Sequence, residues 1–169
     1  RMIGPSLTGK RIEVRTEFGA SLPPVYLRRS DMEQLFLNLV YNARDAMPGG
    51  GTLTLRCQAD GGGDGDGVRI EVIDTGTGMS EEVRGRVFEP FFTTKETGSG
   101  LGLDICRSIV WDYDGSIQVA STPGHGTTVI VRLPRLAERL REQADGLPER
   151  AEPMRAQAEP APGDNNHGD

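Results

Sequence analysis

Apolar residues alternate with polar ones over residues 11–18, 52–58, 68–73, 116–120 and 127–133, which is the period of a strand that buries one face. Over 31–47 and 101–113 they return every three or four positions, and 80–87 is a shorter stretch of the same kind. Three helices are therefore predicted. The first carries Met32, Leu35, Phe36, Leu39, Val40, Ala43 and Ala46 as one apolar stripe. Ser30 followed by Glu33 reads as a capping box at its start, and Pro48 with three glycines ends it. Several strands are joined by short turns and should pair antiparallel. The fold class is α/β: a two-layer sandwich, with about five strands in a mixed, mostly antiparallel sheet and three helices on one face.

Two stretches do not fit this pattern. The run DGGGDGDG at 60–67 lacks the spacing and closing glutamate of a calcium loop and reads as a solvated hairpin connection. Residues 137–169 are rich in Ala, Glu, Arg, Pro and Gln, with too few large apolar side chains to offset ordering. Residues 1–136 are thus expected to form one domain and 137–169 a flexible tail.

A chain of 169 residues suffices for one core. Its net charge of −6 argues against a nucleic-acid partner held by bulk electrostatics. No apolar run approaches the roughly 20 residues of a membrane span, so a soluble, cytoplasmic module is expected. Cys57 and Cys106 form no CxxC motif, and neither His125 nor His167 adds ligand spacing. Two reduced thiols are the simplest reading. A first residue of Arg1 hints at a fragment of a longer protein.

Four constellations could carry chemistry. Asn38, Asn42 and Asp45 fall at i, i+4 and i+7 on the first helix. They are either a solvated face or a set of hard oxygen ligands for magnesium. Asp74-Thr75-Gly76-Thr77-Gly78 follows a strand and is either a plain turn or a carboxylate aimed at an exocyclic amine, with glycines that admit a flat base. Gly98, Gly100 and Gly102 alternate before a helix, where backbone N–H groups favour an anion. This run fits neither the dinucleotide-binding nor the P-loop pattern. Lys95 precedes it, within reach of a terminal phosphate, and Phe88, Phe91 and Phe92 could anchor the segment as a lid or simply join the core. Thr127 could be structural or offer its hydroxyl to a phosphate, while His125 reads as a turn residue.

In order and spacing these stretches resemble the catalytic, ATP-binding domain of bacterial sensor histidine kinases, within the wider gyrase, chaperone, kinase and mismatch-repair ATPase group. LFLNLVYNARDAM (35–47) resembles the N box, DTGTGM (74–79) the first glycine box, FEPFF (88–92) the F box and GSGLGL (98–103) the second glycine box. PGHGTTVIVRLP (123–134) is similar to the closing hairpin. The resemblance implies a Bergerat-type ATP-binding fold with ATP and magnesium as cofactors. Asp74 would read the adenine amine, and Asn38 and Asn42 would serve magnesium. Lys95 and the glycines at 98, 100 and 102 would form the lid, with the Thr127 hydroxyl near the phosphates. The implied nucleotide contacts further include Asp45, Gly76, Gly78, Met79, Phe88, Ser99 and Leu101. Asn38 and Lys95 would act in catalysis.

Hydrolysing relatives place a glutamate where Asn38 stands. An amide cannot take a proton from water, so transfer to another nucleophile is the implied chemistry. Asp45 occupies a position where many members carry lysine, which shifts phosphate contacts toward Lys95 and Arg44. The implied acceptor is a histidine on a separate phosphoacceptor domain, normally of the same polypeptide and within a dimer. A response regulator receiver would follow. The alternatives are a serine/threonine kinase of the anti-sigma type and an ATP-sensing module without transfer.

Overall fold

The computed structural model describes residues 11–61, 67–94 and 100–136. Its strands are β1 (Ile12–Phe18), β2 (Gly51–Asp60), β3 (Gly67–Asp74), β4 (Ser116–Ser121) and β5 (Thr127–Pro134). They form one sheet in the order β1-β2-β3-β5-β4. β1 runs parallel to β2 and the other three pairings are antiparallel. A parallel pair requires a crossover, which is supplied by helix α1 (Arg29–Ala46). Helices α2 (Glu81–Arg86) and α3 (Gly102–Asp112) lie between β3 and β4 in sequence. The mixed, mostly antiparallel α/β sheet is the one the alternation predicts.

Period-two patterning decides which face is covered. In β5, Thr127, Val129, Val131 and Leu133 are buried while the residues between them are half-buried. Register sets Val72 against Val129 and Ile70 against Val131. On this face α1 packs over β3, α3 over β4 and β5, and the two helices pack on each other. Leu35, Leu39, Ala43, Met47, Leu53, Val72, Val110, Val129, Val131 and Leu133 share one core with Cys106 and Tyr113. Each large aliphatic side chain so buried contributes about 1.5–3 kcal/mol. The opposite face carries charge instead. Glu71, only 7% exposed, accepts from Arg56 at 3.0 Å and Arg69 at 2.5 Å, and Arg56 also pairs with Glu17 at 2.7 Å. Sharing one carboxylate between two guanidinium groups offsets the penalty of burying it.

The first helix departs from expectation in two ways. Its buried stripe is narrower, made of Leu35, Leu39 and Ala43, continued by Met47 just past the helix end. Met32 is exposed instead. The capping box does not form: the N-cap is Arg28, without a side-chain cap. Ser30 lies inside the helix and bonds to Asp31, while Glu33 pairs with Arg29 at 2.8 Å. The stabilising hydroxyl comes from a distant residue. Tyr113, which follows α3, accepts the Arg28 N–H at 3.2 Å and donates to the Asp31 carboxylate.

That contact completes an antiparallel ladder between α1 and α3. Gly102 lies beside Asn42, Cys106 beside Leu35, and Tyr113 beside Asp31. No helix among the described residues is long and apolar enough to cross a membrane. The interior of the glycine-aspartate connection, residues 62–66, and the expected tail at 137–169 lie outside the described residues.

Tyr113→Phe removes the hydroxyl from both partners and should lower unfolding stability by about 1–2 kcal/mol. Urea unfolding checks this. An unchanged midpoint would show that the hydroxyl does not hold the α1 start.

Candidate functional site

Helix α1, the end of β3 and its following loop, the start of α3 and the start of β5 enclose a cavity of about 420 Å³. Asp74, the last residue of β3, is 6% exposed and lines it. Its Oδ1 accepts the backbone N–H of Gly76 at 2.8 Å and of Thr127 at 3.2 Å. One carboxylate oxygen is thus held by the fold, and Oδ2 is left to accept from a ligand. Burial pushes the Asp74 carboxyl above its ordinary value, and the two N–H groups pull it partly back.

Gly78 has φ +64°, and a Cβ there would stand 2.0 Å from the Thr122 carbonyl oxygen. Only glycine fits the tight return of the chain below Asp74. Thr127 pairs with Asp74 across the β3–β5 register. Ser121 Oγ accepts from the Met79 N–H at 2.9 Å and donates to the Gly126 carbonyl at 2.9 Å. The Thr127 hydroxyl, 2.9 Å away, must therefore donate to Ser121. Thr127 is accordingly placed with Asp74.

Along the other wall stand Asn38, Asn42 and Asp45, with Tyr41 beside them. The polar stripe of α1 faces the cavity, so the solvated-face alternative does not describe it. Asn38 Nδ2 is sealed from solvent and reaches no acceptor within strict hydrogen-bonding geometry. With the donor end turned inward, Oδ1 is the end of Asn38 available to the cavity. Carboxamide oxygens and one carboxylate suit a hard cation that keeps water and phosphate ligands, so these residues fit magnesium. No cluster of three His, Cys, Asp or Glu side chains able to hold a metal exists among the described residues. Arg44 is not among the lining residues; it pairs with Asp45 at 2.9 Å and stacks on Tyr41 at 4.9 Å.

The rim is only partly as expected. Met79, Gly78, Gly100 and Gly102 line the cavity. Gly76 contributes through its N–H to Asp74, and Leu101 is the N-cap of α3. Phe88 does not line the cavity; it lies under Arg107 at 5.8 Å. Phe92 lines it and is covered by Arg86 at 4.3 Å. Phe91 belongs to neither core nor cavity, being 76% exposed with φ 65°. Lys95, Gly98 and Ser99 lie outside the described residues. Sequence reasoning missed Tyr41, Thr77, Leu103 and the bridging Ser121. Tyr41 directly precedes Asn42 and was open to recognition; a serine ending a strand carries no such signal.

The family model "Histidine kinase-, DNA gyrase B-, and HSP90-like ATPase" matches residues 28–137. The chain is 43% identical over 161 residues to the sensor kinase CckA of Brucella abortus, covering 88% of the chain and 17% of that relative. It is 36% identical over 135 residues to the sensory histidine kinase/phosphatase NtrB of Rhodobacter capsulatus, covering 75% of the chain and 38% of that relative. Among solved structures, the catalytic domain of histidine kinase ThkA superposes with a TM-score of 0.64 at 32% identity, covering 73% of this chain and 79% of that one. Full-length ShkA in complex with AMPPNP gives 0.63 at 31% identity, covering 73% and 25%.

The raised Asp74 carboxyl sets a pH dependence. In the unfolded chain the group titrates near its ordinary 3.8 and in the folded chain higher. Stability is therefore lost as pH rises from 3.8 through the folded value, since folding then buries a charge. Asp74→Asn keeps an oxygen for the two N–H groups and removes that charge. Its stability relative to wild type should be higher at pH 7 than at pH 4. Urea midpoints at the two pH values check this; a difference that does not change with pH contradicts it.

Proposed function

The chain belongs to the histidine kinase-, DNA gyrase B- and HSP90-like ATPase family, and from that premise we propose that it is the catalytic module of a sensor histidine kinase. It binds Mg-ATP and donates the γ-phosphoryl group to a histidine on a separate helical domain, from which a response regulator receiver takes it. The observation that carries this reading is Asp74, buried at the cavity's floor with Oδ1 tied to two backbone N–H groups and Oδ2 free. An acceptor-only oxygen there selects a donor, and the adenine amino group is one. The AMPPNP carried by the similar ShkA supports the same ligand class.

Orientation follows from the ends of the cavity. The base lies at Asp74, Gly78 and Thr127, and the phosphates lie toward Asn42 and Gly102, where α3 begins with free N–H groups. Asp45 and Asp74 are the charged groups among the described lining residues, and Arg44, which pairs with Asp45 at 2.9 Å, does not itself line the cavity. A triphosphate therefore depends on a cation held at Asn38 and Asn42, and on Lys95. Magnesium, when bound, supplies charge neutralisation of the phosphates.

The chain's own residues position rather than activate. Asn38 offers no base for water, so hydrolysis is disfavoured. An imidazole nitrogen of the incoming histidine attacks the γ-phosphorus, the bond to the β–γ bridging oxygen breaks, and ADP leaves. His125 is an exposed turn residue whose backbone N–H bonds to the Thr122 carbonyl at 3.0 Å. Two free cysteines and dependence on ATP suit a cytoplasmic location.

Calorimetric titration should show Mg-ATP binding to the wild-type chain, weakened roughly ten- to a hundredfold by Asp74→Asn, the worth of one hydrogen bond to a buried charge. Incubation with ATP and the cognate helical domain should give an acid-labile phosphoprotein. An acid-stable product would indicate a hydroxyl acceptor and the anti-sigma type of kinase. Bound ATP that persists without transfer would indicate a sensing module.

A further inference from the structure

Beyond Pro134, where β5 ends, the chain reaches back across the molecule: the Leu136 N–H donates to the Pro24 carbonyl at 2.9 Å. Leu136 is half-buried and already helical. Its partner lies in the connection between β1 and α1, which alternates: Pro23, Val25 and Leu27 are half-buried, while Leu22, Pro24 and Tyr26 are exposed. Val25 and Leu27 pack against the core. The outward positions therefore form an apolar ridge on extended chain, and Leu136 meets that ridge at its middle residue. On one side of Pro24, Tyr26 has the Tyr113 ring at 5.9 Å. On the other, Leu22 folds back so that a Cβ at Gly19 would touch its Cδ2 at 3.5 Å, and Phe18, 68% exposed, adjoins Gly19.

Residues 137–169 lie outside the described residues, but the first of them carry a pattern of their own. In LAERLREQAD (136–145), helical pitch sets Leu136, Ala137, Leu140 and Ala144 within one face about 100° wide, and Glu138, Arg139, Arg141, Glu142 and Asp145 away from it. Gly146 follows as a stop signal. Ten residues are too few to hold a helix in water unaided, so the leucine face needs a surface.

We propose that residues 136–145 dock as an amphipathic helix on the exposed ridge of their own chain, Leu140 against Leu22 and the following turn toward Phe18. A helix leaves its first N–H groups without internal acceptors, and the Pro24 carbonyl supplies one to Leu136. The dimensions agree. Leu140 lies about 6 Å along a helix from Leu136, and Leu22 lies about 7 Å along extended chain from Pro24. Attachment at Leu136 also favours this occupant over a second molecule, because a short tether holds the segment at an effective concentration in the millimolar range. A flexible tail then begins after Gly146. Phe18 and Leu22 are not among the cavity-lining residues, so the docking stands or falls apart from the nucleotide reading.

Amide hydrogen exchange on the full chain tests this, in wild type, Leu22→Glu and Leu140→Glu. In wild type the amides of residues 140–145 should exchange about tenfold or more slowly than in a free peptide of the same sequence. Leu22→Glu, an exposed position far away in sequence, should return them to the peptide rate while the amides of β3 and β5 stay protected. Leu140→Glu should do the same. Exchange at the peptide rate in wild type overturns the inference. Protection that survives Leu22→Glu also overturns it, because the segment would then lie on another surface. Protection that falls on dilution assigns the contact to a second copy and contradicts docking within one chain.

Discussion

Helix α3 lies against α1 from its first residue: Gly102 sits so near Asn42 that a Cβ there would touch the amide at 3.4 Å. The same closeness brings Cys106 to the Leu35 carbonyl and Tyr113 to Asp31. One helix face thus meets a glycine, a thiol and a phenol in turn, each small or polar where it touches. This contact is what converts an otherwise ordinary polar stripe on α1 into a cavity wall. Spread the helices apart and Asn38, Asn42 and Asp45 become the solvated face that an isolated helix would show. Kept together, they hold hard oxygens against the start of a helix whose free N–H groups favour an anion.

The sheet supplies the other half of the site. β3 ends at Asp74 where the β5 partner, Thr127, begins, so the end of one strand and the start of the other lie at one level and these two residues share a carboxylate. Folding buries that charge with only part of its hydrogen-bonding capacity used. The remaining desolvation opposes folding at neutral pH, and a ligand donor at Oδ2 relieves it. Part of the stability of the floor is in this sense deferred to the bound state. Ser121, Met79 and Thr127 tie the loop below Asp74 to the sheet, so the acceptor is held rigidly before any ligand arrives.

Secondary structure was most legible where one face of an element is buried, as in β3, β5 and α1, because burial writes its period into the sequence. β3 and β5 read almost residue for residue. What could not be read were long-range substitutions for local devices. Ser30 and Glu33 have the form of a capping box, yet the hydroxyl that holds the helix start belongs to Tyr113, 82 residues from Asp31. Phe91 has the composition of a core residue but sits at φ 65° and is exposed, because the chain turns sharply beside Gly100. Among the site residues, Asn38, Asn42, Asp45 and Asp74 were legible, since asparagine in mid-helix and aspartate at a strand end need a reason. Ser121 was not. It acts by bridging Met79, Gly126 and Thr127, and only proximity reveals that.

The central claim is that Asp74 reads adenine within this cavity. The most direct measurement is competition between ATP and GTP for the chain at equal magnesium, followed by displacement of a fluorescent adenine nucleotide. A carboxylate accepting from the exocyclic amine predicts displacement by ATP at least about tenfold more effective than by GTP, whose carbonyl meets that oxygen with repulsion. Equal displacement by the two nucleotides would contradict the claim, because it would place recognition in the phosphates alone.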